Sequence, residues 1–269
     1  MEYFEIRIHP ASEEKKEILT SLLAEEGFES FAETETELLA YVKADQYDRN
    51  RVEMICARFE VEFHDKRIPE QNWNAEWEKN FEPVLIAGKC YIRAPFHVPG
   101  KVYPYEIIIE PKMSFGTAHH ETTAMMIEMM MGMDFKGKKV LDMGCGTGIL
   151  AILAEMLGAA EVDAIDNDEW AFNNALENME RNKATVVTVK KGDVNAAGSG
   201  YDIILANINR NILLGHIPEY SKRVITGELL MSGFYLEDLE IIQQSAASNG
   251  FIFDHYIQNN KWVATRFLK

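Results

Sequence analysis

The sequence predicts an α/β fold, a doubly wound and mostly parallel sheet that ends in an antiparallel hairpin and follows a small α+β domain. From residue 138 onward, short apolar runs alternate with helical patterns, the order typical of a parallel sheet covered by helices. The last two runs, 252–258 and 262–269, are joined by a turn at Asn259-Asn260, which predicts the hairpin.

Residues 1–69 predict the order strand–helix–strand–strand–helix–strand, the split unit of a ferredoxin-like domain. Residues 2–9 alternate like a half-buried strand, and Ser12 offers an N-cap for a helix with an apolar face. Asp45 is the expected cap of a second helix that reaches about Phe59. The remaining strands are predicted at 28–34, 38–43 and 61–68. No pattern in this domain indicates catalysis, so we expect it to recognise a substrate.

A helical linker is predicted at residues 70–82. Trp73 and Trp77 lie four residues apart, on one face of that helix. We expect these rings to dock the linker onto a domain, although a hinge or a substrate surface is also compatible with them. A second domain is predicted from residue 83 to residue 269, and its first strands are expected at 83–86, 90–94 and 106–109.

A polar loop, Met-Ser-Phe-Gly-Thr-Ala-His-His-Glu-Thr-Thr, occupies residues 113–123 and leads into a methionine-rich helix over 122–133. We interpret the loop as a lid over a ligand and the methionines as core residues. His119, His120 and Glu121 suggest a metal site at first sight. Their spacing differs from the H-E-x-x-H of helical zinc sites, and no further ligand cluster follows. The sequence therefore predicts no metal site.

A glycine-rich turn is the most informative motif. Asp142 ends a short buried strand, and Gly144, Gly146 and Gly148 occupy alternate positions before an apolar helix. Glycine lets a ligand lie directly against the main chain. Asp166 ends the next predicted strand, 22 residues after Gly144, where an acidic side chain suits a hydrogen bond to ribose hydroxyls.

The spacing of this turn separates the classes of nucleotide site. A dinucleotide fingerprint reads G-x-G-x-x-G, and a phosphate loop ends in Gly-Lys-Ser/Thr, and this turn has neither pattern. The pattern D-x-G-x-G-x-G resembles the first motif of class I methyltransferases, which implies a Rossmann-like sheet and S-adenosylmethionine (SAM) as cofactor. An ordinary glycine-rich turn is the alternative, and the pairing with Asp166 disfavours it.

The rest of the chain continues the alternation of strands and helices. Asp193 and Asn207 each end a predicted strand, at the sheet edge where open α/β sheets bind ligands. Strands are predicted at 186–189, 201–208 and 228–233, and helices at 169–182, 212–224 and 236–249.

Composition restricts the possible partners. The 269 residues are 47% hydrophobic, enough for one large or two modest cores. The net charge of −16 argues against direct nucleic-acid binding and favours basic partners. Three scattered cysteines are typical of reduced thiols, and neither a signal peptide nor a membrane-length apolar run is visible. We expect a cytoplasmic protein that does not bind membranes.

Across essentially its whole length the chain resembles the ribosomal protein L11 methyltransferase (PrmA) family, whose members pair a ferredoxin-like domain with a class I methyltransferase domain. The resemblance rests on N-W-x-x-x-W-E in the linker, F-G-T-x-H-H-E-T-T in the loop, L-D-x-G-C-G-T-G-I-L-A-I and Ala206-Asn207-Ile208. It implies a protein N-methyltransferase that transfers methyl groups from SAM to lysine or α-amino groups of a basic large-subunit ribosomal protein.

The resemblance also implies site residues. Asn207, His120 and Phe115 are the candidate catalytic residues: Phe115 and His120 match loop positions that border the methyl-transfer pocket, and we expect Asn207, which matches a cofactor contact, to orient the amine as well. Ala118 replaces a usual glycine, and Asn209-Arg210 follow Ala206-Asn207-Ile208 where the family usually has apolar or small residues. With the turn and the strand ends included, the candidate cofactor-binding residues are Thr123, Gly144, Gly146, Asp166, Asp193 and Asn207.

Other functions stay open at this point. A methyltransferase of nucleic-acid adenine or glutamine amide usually carries Asn/Asp-Pro-Pro-aromatic where this chain has Asn207-Ile208-Asn209-Arg210. A methyltransferase of another protein or of a small-molecule amine is harder to exclude, because an appended domain can simply cover a pocket. A SAM-binding protein without catalytic activity is the remaining alternative.

Overall fold

The computed structural model describes residues 2–9, 12–34, 36–68, 81–98, 101–112 and 114–269. The predicted linker, with Trp73 and Trp77, lies outside the described residues apart from its last two positions. The chain forms two compact units, Met1–Asn80 and Phe81–Lys269. Within the described part of the chain, no helix combines the length and the apolarity needed to cross a membrane.

The first unit contains an antiparallel sheet with two helices. In chain order its elements are β1 (Tyr3–His9), α1 (Glu13–Glu25), β2 (Ser30–Glu33), β3 (Leu38–Lys43), α2 (Arg49–Arg58) and β4 (Glu62–Ile68). The strands lie in the order β2-β3-β1-β4. The core of this unit consists of buried side chains from these elements and their connections, among them Ile6, Ile8, Leu19, Leu23, Leu38, Val42 and Val52.

The helix starts in this unit follow from their caps. The Ser12 hydroxyl accepts a hydrogen bond from the Lys15 N–H at 3.4 Å, as expected for α1. The predicted cap of α2 at Asp45 is wrong. The Asp48 carboxylate accepts the N–H groups of Asn50 and Arg51 instead, and the helix begins at Arg49. Asp45 lies in the turn before that helix, where it has no free helical N–H to accept.

The second unit is an α/β structure. Its elements are β5 (Val84–Ile86), β6 (Cys90–Arg93), β7 (Tyr105–Ile108), α3 (Glu121–Met130), β8 (Lys139–Met143), α4 (Ile149–Met156), β9 (Glu161–Asp166), α5 (Glu169–Asn182), β10 (Val187–Lys191), β11 (Ile203–Asn207), α6 (Arg210–Arg223), β12 (Glu228–Tyr235), α7 (Leu239–Ser248), β13 (Ile252–Asn259) and β14 (Trp262–Leu268). The helix predicted from residue 236 begins only at Leu239, because residues 236–238 form a separate 3-10 turn.

The large sheet of this unit has the strand order β10-β9-β8-β11-β12-β14-β13. Neighbours from β10 to β12 are parallel, and β14 pairs antiparallel with both β12 and β13, which confirms the predicted hairpin. The chain leaves β8 towards β9 on one side and later returns to β11 on the other. The crevice between β8 and β11 is therefore the topological switch point, where open α/β sheets bind ligands.

Both faces of the large sheet are covered. Val140 and Leu141, adjacent in β8, belong to different core clusters, so the clusters lie on opposite faces of the sheet. Helix α3 packs against β12, β13 and β14. Its methionines at 125, 126, 129 and 130 are buried, which confirms that they are core residues.

Candidate active site

A cavity of about 420 Å³ lies at the carboxyl ends of the parallel strands. Its size falls within the range usual for small-molecule sites. Six of the predicted site residues line it: Phe115, His120, Gly144, Gly146, Asp166 and Asn207. The other lining residues are not among the predicted site residues; they are Ser114, Thr122, Asn167, Asp168, Ala171, Ile208, Asn209, Gly233 and Trp262.

The glycine turn leaves main chain exposed to this cavity. Gly144 has φ +72°, and a Cβ built on it would lie 2.2 Å from the Cγ2 atom of Ile208. Gly146 has φ +54°, and a Cβ there would lie 2.3 Å from the carbonyl oxygen of Phe115. No larger residue fits at either position without moving its neighbour, because real Cβ contacts are longer. The turn therefore brings β8, the end of β11 and the loop at 114–120 into close contact.

The loop at 114–120 is fixed to the glycine turn. Thr147 donates its N–H to the carbonyl of Phe115 at 2.9 Å and its hydroxyl to the carbonyl of Gly116 at 2.6 Å. Ala118 is buried with φ +69°, a left-handed conformation that costs an alanine energy. The tight attachment to Thr147 holds the loop in that strained shape.

The two histidines of the loop have different contacts. His120 is the N-cap of α3, and its Nδ1 accepts the Thr122 N–H at 3.3 Å. The ring of His119 lies outside the cavity lining, with Nε2 2.8 Å from the carbonyl oxygen of Glu82. Among the described residues, no group of three His, Cys, Asp or Glu side chains is placed to hold a metal ion.

Asp166 connects the end of β9 to the glycine turn. One carboxylate oxygen accepts the Gly146 N–H at 2.9 Å, and the other accepts the Asp168 N–H at 3.0 Å. Each carboxylate oxygen has a second lone pair, and the side chain is only half-buried at the cavity wall. The carboxylate is thus oriented by the main chain and can still accept hydroxyl hydrogens from a ligand.

Asn207, at the end of β11, is held on one side only. Its Nδ2 donates to the Thr123 hydroxyl at 3.2 Å, and Thr123 is buried behind it, outside the cavity lining. Its Oδ1 is buried and has no hydrogen-bond partner among the described residues. A buried amide oxygen without a donor is unusual, so this atom points to a ligand that supplies an N–H or O–H.

Asp193 lies outside the residues that line the cavity. Its carboxylate caps a 3-10 turn at Val194–Ala196, where it accepts the N–H and the side-chain amide of Asn195 at 2.9 and 3.2 Å. Both carboxylate oxygens are therefore engaged by the protein. The acidic residue at the end of β10 has a clear structural role.

Two titratable groups of the turn are buried. Burial raises the pKa of Asp142 to about 7, and its carboxylate accepts the Ala151 N–H at 3.1 Å at the start of α4. Burial also raises the pKa of the Cys145 thiol well above its usual value. The thiol is therefore protonated at neutral pH and is a poor nucleophile, so Cys145 acts as a small turn residue.

Trp262 and Gly233 are cavity residues that local patterns did not reveal. Trp262 begins β14, and its ring lies 4.8 Å from that of His120, which in turn lies 5.1 Å from Phe115. Gly233 has φ +97° inside β12, where the register with β14 shifts. A glycine within a strand pattern is a signal for such a bulge, and bulges are frequent beside active sites.

These features define a class of protein. A glycine turn and an acidic strand end at the switch point of a sheet with an antiparallel terminal hairpin are those of a class I SAM-dependent methyltransferase. A family model described as "Ribosomal protein L11 methyltransferase (PrmA)" matches residues 2–269. The chain belongs to this family, and SAM is its methyl donor.

Individual relatives agree with this assignment. The chain is 43% identical to the ribosomal protein L11 methyltransferase of Phocaeicola vulgatus, over 100% of this chain and 99% of that protein. It is 42% identical to the protein of the same name from Bacteroides fragilis, over the full length of both. A crystal structure of ribosomal protein L11 methylase from Lactobacillus delbrueckii superimposes with a TM-score of 0.66 at 27% identity and covers 70% of this chain and 98% of that one.

Proposed function

We propose that this protein transfers methyl groups from SAM to amino groups of ribosomal protein L11, on lysine side chains, on the α-amino group or on both. The observation that carries amine methylation is the buried, unpartnered Oδ1 of Asn207 in the wall of the cavity. The names of the full-length relatives support the choice of acceptor protein.

The residues around the cavity fit SAM. The glycine turn presents main chain without side chains, and the half-buried Asp166 carboxylate can accept hydroxyl hydrogens of a ribose. Gly144, Gly146, Asp166 and Asn207 would hold the cofactor, with Thr123 orienting Asn207 from behind. When bound, SAM supplies an electrophilic methyl group on a positively charged sulfur.

The chain must then provide a neutral, oriented amine and exclude water. A lysine of pKa about 10.4 is neutral only to roughly 0.04% at pH 7, which costs about 4.6 kcal/mol. An α-amino group of pKa about 7.8 costs only about 1 kcal/mol. The Asn207 Oδ1 accepts an N–H of the neutral amine, which directs the nitrogen lone pair away from the amide. The rings of Phe115, His120 and Trp262 shield this position from water.

The proposed acceptor is a basic protein of the large ribosomal subunit, and the proposed compartment is the cytoplasm. The net charge of −16 favours the approach of such an acceptor by long-range attraction. We assign recognition of the acceptor to the predicted domain at residues 1–69 and methyl transfer to the predicted domain at 83–269. We propose no direct contact between this protein and nucleic acid.

The test is mass spectrometry of purified ribosomal protein L11 after incubation with the enzyme and SAM. We expect mass gains in steps of one methyl group, and fragmentation will place them on lysines or on the α-amino group. We expect the Asn207→Ala substitution to lower kcat by about 10- to 100-fold, because it removes one hydrogen bond that stabilises the transition state. No mass gain from wild-type enzyme with confirmed SAM binding would refute ribosomal protein L11 as the acceptor.

A further inference from the structure

A second cavity, of about 530 Å³, adjoins the candidate active site. Asn209, Gly233 and Trp262 line both cavities, so the second begins where the first ends. The glycine turn and Asp166 line only the first cavity. The second cavity therefore extends the site away from the residues proposed to hold the cofactor. Its other walls are Arg210, Asn211, Phe234, Tyr235, Glu237 and Asp238.

A bulge in β12 shapes the boundary between the two cavities. At Gly233 a Cβ would lie 2.2 Å from the carbonyl oxygen of Ile208, and the register with β14 shifts between Ser232 and Phe234. A bulge changes the direction of the strand that follows it. Tyr235, two residues further on, is 40% exposed and lines the second cavity. The bulge thus brings an aromatic side chain next to the active site.

Four aromatic rings connect the cavities. Phe115 lies 5.1 Å from His120, His120 lies 4.8 Å from Trp262, and Trp262 lies 4.2 Å from Tyr235. The first two rings line the first cavity, Trp262 lines both, and Tyr235 lines the second. Aromatic faces pack against alkyl stems and attract ammonium groups. Such a row suits the side chain of a lysine.

The second cavity also carries an uncompensated negative charge. Asp238 pairs with Arg210 at 2.6 Å and accepts the Tyr235 N–H at 3.3 Å, so these two charges cancel. Glu237 is exposed to the cavity and has no ion pair among the described residues. The Glu237 carboxylate and the Tyr235 ring line the same cavity, and this combination favours a cation and disfavours the carboxylate end of SAM.

We infer that this second cavity is the acceptor subsite, and that it binds a basic side chain of the protein substrate next to the amine being methylated. The ammonium group of that side chain lies against the Tyr235 ring and the Glu237 carboxylate. The methylated amine itself reaches Asn207 past Trp262. This inference rests on the proposed function, because it requires a basic protein as the acceptor.

The test compares three variants of the full-length enzyme: Glu237→Gln, Tyr235→Leu and, as a control, Glu240→Gln. Glu240 is also an exposed glutamate, three residues further along, bonded to Gln244 and outside both cavities. Steady-state kinetics with ribosomal protein L11 give kcat and KM, and calorimetry gives the Kd for SAM. Thermal unfolding of each variant verifies that it is folded.

We expect Glu237→Gln and Tyr235→Leu each to raise the KM for ribosomal protein L11 by about three- to fivefold, with Kd for SAM unchanged. The Glu237→Gln effect should shrink at 0.5 M salt, because screening weakens the exposed ion pair. Glu240→Gln should match the wild type. An unchanged KM in both cavity variants, or a parallel rise in the Kd for SAM, would overturn the acceptor subsite alone. A wild-type enzyme that leaves ribosomal protein L11 unmethylated would overturn the proposed function and this inference with it.

Discussion

The Asp166 carboxylate has two roles, one in the glycine turn and one towards the ligand. Its carboxylate accepts two main-chain N–H groups and remains available at the cavity wall. We expect Asp166→Ala to raise the Kd for SAM by about 10- to 100-fold, because hydrogen bonds to a charged group are worth about 1.5–3 kcal/mol. Calorimetric titration with SAM measures this change. Unchanged affinity would show that the cofactor does not use this carboxylate.

The buried carboxyl of Asp142 makes stability depend on pH. Burial raises its pKa from 3.8 to about 7. Between these values the native state holds a proton that the unfolded state has released, so the free energy of unfolding falls as pH rises through this window. The stabilisation is complete below about pH 4 and is lost above about pH 7.

Asp142→Asn removes this titration. The asparagine stays neutral at every pH, and its amide oxygen can still accept the Ala151 N–H. We therefore expect the free energy of unfolding of the variant, relative to the wild type, to increase from pH 5 to pH 8. Urea unfolding at a series of pH values measures the difference. A difference that stays constant over this range would contradict the raised pKa.

At the scale of elements, two asparagine side chains of α5 form hydrogen bonds with the main chain around the glycine turn. The Asn178 side chain accepts the Glu110 N–H at 2.9 Å and donates to the Thr147 carbonyl at 2.9 Å. Asn182 makes the corresponding pair of bonds with the main chain of Ile108. Helix α5 therefore holds both the end of β7 and the turn that faces the cavity.

Truncation of Asn178 tests how much these hydrogen bonds contribute to stability. Asn178→Ala removes the side-chain partners of the part-buried Glu110 N–H and of the buried Thr147 carbonyl, and we expect a loss of about 2–4 kcal/mol in the free energy of unfolding. Asn173→Ala, on the exposed face of the same helix, is the matched control and should change stability by less than about 0.5 kcal/mol. Chemical denaturation measures both, and equal losses would mean that the loss is not specific to the two main-chain hydrogen bonds of Asn178, because alanine itself favours a helix more than asparagine does.

Local sequence signals explain which elements could be predicted. The sequence predicts helix α5 with its observed bounds, Glu169–Asn182, and in the structure the Asp168 side chain caps its start. The start of α2 was misplaced because Asp45 and Asp48 are chemically equivalent as caps, and only the folded turn decides between them. The place of Gly233 and Trp262 in the cavity cannot be predicted from local patterns, because long-range sheet pairing brings them near Asn207. The glycine inside the strand pattern signals only the bulge at Gly233.

At the scale of the whole molecule, each unit has its own hydrophobic core. The core cluster of the first unit contains residues between Ile6 and Val61, whereas the two clusters of the second unit begin at Ile86 and at Leu141. The residues that line the cavity all belong to the second unit. The cofactor site is thus a feature of the second unit.

This division predicts the behaviour of residues 81–269 expressed alone. The fragment retains both cores of the second unit, so we expect it to fold and to bind SAM with a Kd within about threefold of the full chain. If the first unit recognises the acceptor, kcat/KM for ribosomal protein L11 should fall at least about tenfold, the effect of losing only 1.4 kcal/mol of binding. Calorimetry with SAM verifies that the fragment is intact, and methyl transfer to ribosomal protein L11 measures the loss. A fragment that binds SAM and methylates ribosomal protein L11 as efficiently as the full chain would show that recognition lies in the second unit, around the acceptor subsite beside Trp262.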